Sequence, residues 1–304
     1  MEAVRIYAYG GPETLTFEHD VPEPAVGAGD ILVETTAASV NPIDWKVRSG
    51  ARQKDFPLDL PAILGRDVSG IVRAVGSEVR TVKPGDRVIA MANATYAQYV
   101  ALPAAVATHL PDGVDPVDAA AIPLVTLTGE QLVRLATQAT AGRTILVTGA
   151  LGGVGRAAVH AAKTLGATVI AGVRAGQIAA AEALGATSTL ALDDEDAIAR
   201  LQAVDGVADT VGGETAAKLF GKVKGGGRFG YASMLPEGLA AKYPAVTVTR
   251  VFARPDPSKV REFADAIRDG TFVLPISRRM PLSEVGAAHA RLEKGGGGKV
   301  VLTI

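Results

Sequence analysis

A chain of 304 residues with 48% hydrophobic composition has material for two separately cored domains. Its 31 basic and 32 acidic residues leave a formal net charge of −1, which gives no global field for nucleic acid or an anionic membrane surface, so a small molecule is the expected partner. Cysteine is absent, which excludes disulfides, thiolate nucleophiles and any zinc site built on cysteine.

The opening segment, Met1-Glu-Ala-Val-Arg-Ile-Tyr7, lacks the apolar run of a signal peptide, and no stretch reaches the roughly 20 apolar residues of a membrane span. A soluble, cytoplasmic protein is the expectation. Residues 1 to about 120 read as short strands, at Val4 to Tyr9, Ile31 to Ser39, Val68 to Val75, Arg87 to Met91 and Tyr96 to Leu102. Turn clusters such as Val21-Pro-Glu-Pro and Lys83-Pro-Gly-Asp separate them, and irregular antiparallel β structure follows.

From about Pro116 helices and strands alternate, the signature of a parallel sheet covered by helices. Asp118 to Ala139 is helical in part; strands are expected at Thr144 to Thr148, Thr168 to Val173, Thr189 to Leu192, Gly206 to Thr210, Gly227 to Ala232 and Val246 to Phe252. The intervening helices are Arg156 to Leu165, Gln177 to Leu184, Asp194 to Ala203 and Glu214 to Lys222, with Ser258 to Asp269 after the last strand. The tail returns to the first style, with a short helix from Leu282 to Glu293, a Gly295 to Gly298 turn and a final strand from Val300 to Ile304.

The densest signal is Ile145-Leu-Val-Thr-Gly-Ala-Leu-Gly-Gly-Val-Gly155. An apolar strand runs into a glycine-rich turn that opens a helix, which leaves backbone N–H groups unpaired at the positive end of the helix dipole and makes a seat for a pyrophosphate. A purely structural turn is the other reading. The strand that follows ends near Val173, where an NAD site usually presents an acid to the ribose 2′-hydroxyl. Here Arg174 stands at that end and no acid follows until Glu182. A guanidinium attracts a 2′-phosphate that a carboxylate would repel, so NADPH is favoured over NADH; a solvated loop arginine is the alternative.

Further ordered motifs carry a resemblance: Asn41-Pro-Ile-Asp-Trp-Lys-Val-Arg-Ser-Gly50, Pro61-Ala-Ile-Leu-Gly-Arg-Asp-Val-Ser-Gly70, Gly76-Ser-Glu-Val79, Lys83-Pro-Gly-Asp-Arg-Val88, Tyr96-Ala-Gln-Tyr-Val100, Asp209-Thr-Val-Gly-Gly213 and Gly298-Lys-Val-Val-Leu-Thr-Ile304. Over almost its whole length the chain resembles the medium-chain dehydrogenase/reductase superfamily, in its zinc-independent quinone oxidoreductase (zeta-crystallin-like) branch. The resemblance implies an α/β fold: a GroES-like irregular β-barrel catalytic domain from residues 1–120 and 265–304, and a doubly wound Rossmann domain from residues 121–264. Zinc-dependent relatives carry Gly-His-Glu where this chain has Gly65-Arg66-Asp67, and a cysteine ligand near the position of Asn41, so no metal is expected. His19, His109, His160 and His289 form no ligand cluster by spacing and receive no role.

What the resemblance implies about activity is hydride transfer from NADPH to a quinone or to the β-carbon of an α,β-unsaturated carbonyl. A cofactor-binding structural or regulatory protein with negligible turnover and an enoyl-thioester reductase are the alternatives. Asn41, Asp44 and Lys46 fall on the substrate side by resemblance. Asn41 can donate to a developing oxyanion and Lys46 can supply charge or a proton, against the plainer readings of a turn at Asn41-Pro42 and a solvated Lys46. Gly149, Ala150, Gly152, Gly153, Val154 and Gly155 seat the pyrophosphate. Thr126 and Thr128 orient the nicotinamide or cap a helix, Tyr231, Phe252 and Ala253 cradle it, and Phe252 shapes the pocket by packing. Lys299 matches the family's late lysine beside the cofactor, with a solvated terminal-strand lysine as the other reading. The β-branched stretch Ala245 to Val251 matches an edge strand that pairs across a two-fold axis, so a homodimer is expected.

Overall fold

A computed structural model describes residues 1–295 and 298–304; residues 296 and 297, in the middle of the expected Gly295 to Gly298 turn, lie outside the described residues. The chain forms two compact units, Met1–Leu124 with Pro255–Ile304, and Val125–Arg254.

The first unit opens with β1 (Ala3–Ile6), β2 (Thr16–Glu18), β3 (Asp30–Val40), helix α1 (Pro42–Arg48), β4 (Ala62–Ile63), β5 (Asp67–Val75), β6 (Arg87–Met91), β7 (Tyr99–Pro103), β8 (Ala107–His109) and α2 (Pro116–Ala119). Helix α3 (Pro123–Gln131) and a π-helical turn, Leu132–Ala136, carry the chain into the second unit. There follow β9 (Thr144–Thr148), α4 (Gly153–Thr164), β10 (Thr168–Val173), α5 (Ile178–Glu182), β11 (Ser188–Ala191), α6 (Glu195–Arg200), β12 (Val204–Asp209), α7 (Gly213–Phe220), β13 (Val223–Tyr231) and β14 (Thr247–Arg250). The first unit is completed by α8 (Pro257–Arg268), β15 (Ile276–Pro281), α9 (Val285–Glu293) and β16 (Lys299–Thr303).

Strand β3 organises the first unit. Its early residues alternate between buried and half-buried, the pattern of a strand with one face on a core, and its last four, Ala37–Val40, are all buried. It pairs antiparallel with β5, β7 and β16 in a seven-stranded sheet, while β2, β1 and β4 form a separate three-stranded one. Asn41-Pro42, for which a turn was one reading, starts helix α1 instead. Proline at the first helical position has no N–H to leave unsatisfied, and Asp44 accepts the Asn41 backbone N–H at 2.7 Å, one arm of a capping box. Strands β2, β8 and β15 escape the sequence reading because they are short or, like β15 with Arg278 and Arg279, mostly polar and exposed. Helix α8 contacts β6 and β8 and so belongs to the first unit.

The second unit is a parallel six-stranded sheet in the order β11-β10-β9-β12-β13-β14. Counted from its own first strand this is 3-2-1-4-5-6, the doubly wound order whose direction switches between β9 and β12. Ligands of such sheets bind beyond the carboxyl ends of the strands at that switch. One face is cored by Leu146, Val207, Leu219 and the stacked pair Phe220 and Phe229, whose rings lie 4.0 Å apart.

Gly129 fixes how closely α3 and α4 approach. A Cβ there would fall 2.4 Å from the Val154 carbonyl oxygen and 2.6 Å from the Ala158 nitrogen, both backbone atoms. In an unconstrained helix, glycine to alanine gains about 1 kcal/mol of propensity; overpacking against fixed backbone costs about 1–3 kcal/mol or more. Gly129→Ala is therefore expected to destabilise the protein, and urea denaturation showing a midpoint at or above the wild-type value would contradict this packing.

Candidate active site

In the second unit the glycine turn is built for close approach. Gly149 adopts φ +61°, and a Cβ on Gly155 would sit 2.1 Å from the Gly149 carbonyl oxygen, so only glycine lets α4 start against the turn. Gly152 is the N-cap of this 12-residue helix and has no side chain to cap it, which leaves the amides at Gly153, Val154 and Gly155 without a side-chain acceptor. Ala150 is buried, its N–H bonded to the Gly172 carbonyl. Thr148 and Asp209 join the ends of β9 and β12 at 2.7 Å, and Asp209 also accepts from the Gly212 amide and the Ser233 hydroxyl. Asp209 opens one of the quoted motifs without an assigned role; in the structure it holds the switch point together. A bare-backbone cradle at a helix start fits a pyrophosphate.

Arg174 follows β10 and is exposed, its backbone N–H received by Gln177. The next amide, Ala175, donates to Asp193 at 2.7 Å, so an acid from beyond β11 does reach this turn. Thr126 is buried and Thr128 half-buried, both within α3. Tyr231 ends β13, half-buried, and its carbonyl accepts the Val251 amide. Phe252 is 43% exposed and lies under the Arg250 guanidinium at 4.2 Å, and Ala253 beside it is half-buried. Gln131 clamps the following residue, donating to the Arg254 carbonyl and accepting from its amide.

In the first unit the structure brings Asn41, Asp44 and Lys299 together. Lys299, far from being solvated, is 9% exposed. Its ammonium donates to Ser39 Oγ and Asn41 Oδ1, each at 2.7 Å, and lies 3.5 Å from Asp67. Asp67 also accepts from Ser39 Oγ at 2.6 Å, Asn41 Nδ2 at 2.8 Å and the Leu124 amide at 2.7 Å. Both ends of the Asn41 amide are thereby engaged inside the protein. Burial lowers the Lys299 pKa, with Asp67 and Asp44 opposing that shift. Lys46 is half-buried, its ammonium 5.5 Å from the Trp45 ring.

A second chain of bonds runs to Asp44. Arginine can only donate, so Arg48 Nη1, 3.4 Å from His289 Nδ1, makes that nitrogen the acceptor and leaves the proton on Nε2. His289 Nε2 lies 3.2 Å from Tyr96 Oη, and Tyr96 donates to Asp44 at 2.9 Å. Arg48 is anchored at its far side by Glu293 at 3.0 Å. Burial raises the Asp44 carboxyl to about 7, against the lowering effect of its bonds from Asn41 and Tyr96. Burial, with Arg48 adding to it, lowers His289 to about 3. Tyr96 is pushed well up by burial and by Asp44, and so stays a protonated donor. Ser39, Asp67, Tyr96, Arg48 and His289 all escaped the sequence reading as participants, although Arg48, Asp67 and Tyr96 stood inside quoted motifs.

Asp44 opens onto a pocket of about 360 Å³ in the same unit, walled by Ile43, Val47, Phe56, Leu58 and Leu64, with Arg66 at its side. That volume lies within the ordinary range of small-ligand sites, roughly 300–1,000 Å³.

Residues 27–112 match the alcohol dehydrogenase GroES-like domain family, and residues 184–302 match the zinc-binding dehydrogenase family. Over 314 residues the chain is 34% identical to the quinone oxidoreductase of Pseudomonas aeruginosa, with 95% of each covered. The chain belongs to the quinone oxidoreductase family. The solved quinone oxidoreductase of Coxiella burnetii is 28% identical with a TM-score of 0.89, over 100% of this chain and 99% of that one. A mycobacterial protein solved in complex with NADPH is also 28% identical, TM-score 0.84, with both chains fully covered. The protein is thus an oxidoreductase of the medium-chain dehydrogenase/reductase type, a reductase that uses a nicotinamide cofactor on a small-molecule substrate. A zinc ion does not suit the donor set: Arg66 is a permanent cation and the Asn41 amide is bound to Asp67 and Lys299. Among the described residues no group of three or more metal-ligating side chains is assembled, and no helix is long and apolar enough to cross a membrane.

The two shifted groups pull stability in opposite directions with pH. Native Asp44 keeps a proton that the unfolded chain releases above about 4, so its contribution is present at low pH and is lost as pH rises through 7. Native His289 refuses a proton that the unfolded chain accepts below about 6.5, so its contribution is present above that pH and is lost as pH falls toward 3. Denaturant titrations between pH 4 and 7 should show stability climbing more steeply with pH in Asp44→Asn than in wild type, and less steeply in His289→Gln. Three parallel pH profiles would remove both assignments.

Proposed function

We propose that this oxidoreductase is a zinc-independent, NADPH-dependent reductase of quinones or of the carbon–carbon double bond of α,β-unsaturated carbonyl compounds. The observation that carries the cofactor preference is the exposed Arg174 at the carboxyl end of β10, one strand from a glycine cradle fitted to a pyrophosphate. Gly149, Ala150, Gly152, Gly153, Val154 and Gly155 would hold the pyrophosphate, and the Arg174 guanidinium would pair with a 2′-phosphate. Asp193 reaches this turn, and its carboxylate already accepts the Ala175 amide. The mycobacterial neighbour solved with NADPH supports the same reading. Thr126, Thr128, Tyr231, Phe252 and Ala253 are assigned to the nicotinamide half.

When bound, the cofactor supplies a hydride. The protein's own contribution is the environment of the acceptor. The pocket walls Ile43, Val47, Phe56, Leu58 and Leu64 present an apolar face to a ring or alkene. Asp44, protonated below about pH 7, can deliver a proton to the oxyanion that hydride addition leaves on the acceptor. Asn41 and Lys299 fix the start of α1 through Asp67, so they act as positioning groups for Asp44.

Steady-state oxidation of NADPH with a panel of quinones and enones tests the activity, and the ratio of kcat/KM for NADPH over NADH tests the cofactor. Arg174→Ala should lower that ratio by roughly 10- to 100-fold, the worth of a charge-assisted contact. An unchanged ratio assigns Arg174 to the solvent, and no cofactor oxidation with any acceptor sinks the reading.

We also infer a homodimer formed along β14, the last strand of its sheet, whose Val248, Thr249 and Arg250 are only half-buried along an edge that no described strand covers. Light scattering at micromolar concentration should return twice the 31.1 kDa chain mass; a monomer at that concentration removes the inference.

A further inference from the structure

The pocket that Asp44 opens onto contains a cation with no counter-charge. Arg66 sits between β4 and β5, immediately after Gly65, whose φ of +96° and missing Cβ let the backbone lie against Thr95 and Tyr96. A Cβ at Gly65 would be 2.3 Å from Thr95 Oγ1 and 2.6 Å from the Tyr96 ring, so the segment has one place to go. On the other side the Arg66 carbonyl accepts the Ala92 amide at 3.0 Å. The guanidinium lies over the Phe56 ring, 5.4 Å from its centroid, and stacking of this kind holds the plane while leaving the edge donors directed outward.

Among the described residues the Arg66 guanidinium has no carboxylate partner, and its buried Nε has no acceptor at all. The other ionisable groups lining this pocket are already satisfied, and the remaining lining is apolar apart from the neutral amide of Asn93. Asp55 on the rim is paired with Arg52 at 3.1 Å, and Asp44 is held by the Asn41 amide and the Tyr96 hydroxyl and keeps its proton to near neutrality. A half-buried permanent cation against Phe56, Leu58 and Ile63 is costly unless an anion completes it.

We propose that this pocket receives an acceptor with an apolar ring or alkene body and a carboxylate group, and that Arg66 is the specificity-determining residue that reads the carboxylate. The proposal rests on the reductase reading above and narrows its substrate class. The acceptor's body lies along the apolar walls, its carboxylate meets the Arg66 edge donors, and the conjugated carbonyl oxygen on which charge develops is left to the Asp44 side. The carboxylate is a permanent substituent and takes no part in the electron balance, which remains one hydride and one proton per acceptor.

The test uses NADPH with matched acceptors that differ only in charge: a 1,4-benzoquinone carrying a propionate side chain against the same quinone carrying a propionamide, and 3-benzoylacrylate against its carboxamide. Wild-type protein should favour the anionic member of a pair by roughly 10-fold or more in kcat/KM, the worth of a desolvated arginine–carboxylate contact. Arg66→Met, which keeps the stem over Phe56, should bring that ratio to within about 2-fold, with the loss on the KM of the anionic acceptor, and Arg66→Lys should retain part of the preference. Calorimetric titration with 4-oxo-4-phenylbutanoate, which cannot be reduced at a double bond, gives a readout free of turnover, and wild type should bind it about 10-fold more tightly than Arg66→Met. Equal handling of charged and neutral acceptors by wild type, or a ratio that survives in Arg66→Met, overturns the proposal while leaving the reductase reading intact. Turnover of no acceptor overturns the reductase reading, and the calorimetric comparison then decides the carboxylate site by itself.

Discussion

The contact on which the first unit depends is the buried pair of Lys299 and Asp67 with Ser39 and Asn41 between them. Two charges withdrawn from water cost several kcal/mol each, and their attraction repays that only if the remaining donors and acceptors are also matched. Here they are: the Leu124 amide donates to the second Asp67 oxygen, and Lys299 directs its three donors to the Ser39 hydroxyl, the Asn41 amide oxygen and Asp67. The pair ties β16 to β3, the start of α1 and β5, so the orientation of Asp44 on α1 follows from a lysine 255 positions later in the chain. A cluster of this kind is a weak source of stability and a strong source of register, because no other alignment of β16 on β3 would satisfy it.

Local signals explain why the second unit is legible in the sequence. Apolar strands alternate with alanine-rich helices, and the glycine turn combines a positive φ at Gly149 with a forced contact at Gly155, each a local demand that only glycine meets. Element bounds moved by a few residues, as at β13, which starts at Val223 where a strand was expected from Gly227. The site in the first unit was legible only in part. Asn41-Pro-Ile-Asp44 carries a helix-start signal in its N-cap asparagine, N1 proline and N3 acid, and that signal was open to reading. The partners of Asp44 were not, since Tyr96 and His289 are 193 positions apart and meet only through tertiary packing. Lys299 was placed beside the site by resemblance, whereas its burial depends on the β16 to β3 register, which no local pattern encodes.

Around Asp44 two opposing effects are set against each other. Removal from water favours the neutral acid, and the directed series from Arg48 through His289 to Tyr96 favours the carboxylate. The balance leaves a carboxyl near neutrality next to an apolar pocket, the condition in which an acid can release a proton without being a strong one. His289 contributes by remaining neutral. A protonated imidazole there would face the Arg48 cation and would have no acceptor at Nδ1, so the same arginine that fixes the tautomer also forbids the charge.

The placement of β16 has a consequence for synthesis. This strand lies inside the seven-stranded sheet, between β15 and β3, and it follows the whole second unit in the sequence. On the ribosome the second unit has every strand of its sheet available before β16 emerges, whereas the Ala37–Val40 end of β3, beyond the part that β7 pairs, must wait uncovered and Asp67 without its lysine. The first unit is therefore the late-maturing one, and the interval before β16 docks is when the nascent chain exposes the buried-residue end of β3, Ala37–Val40, to wrong partners.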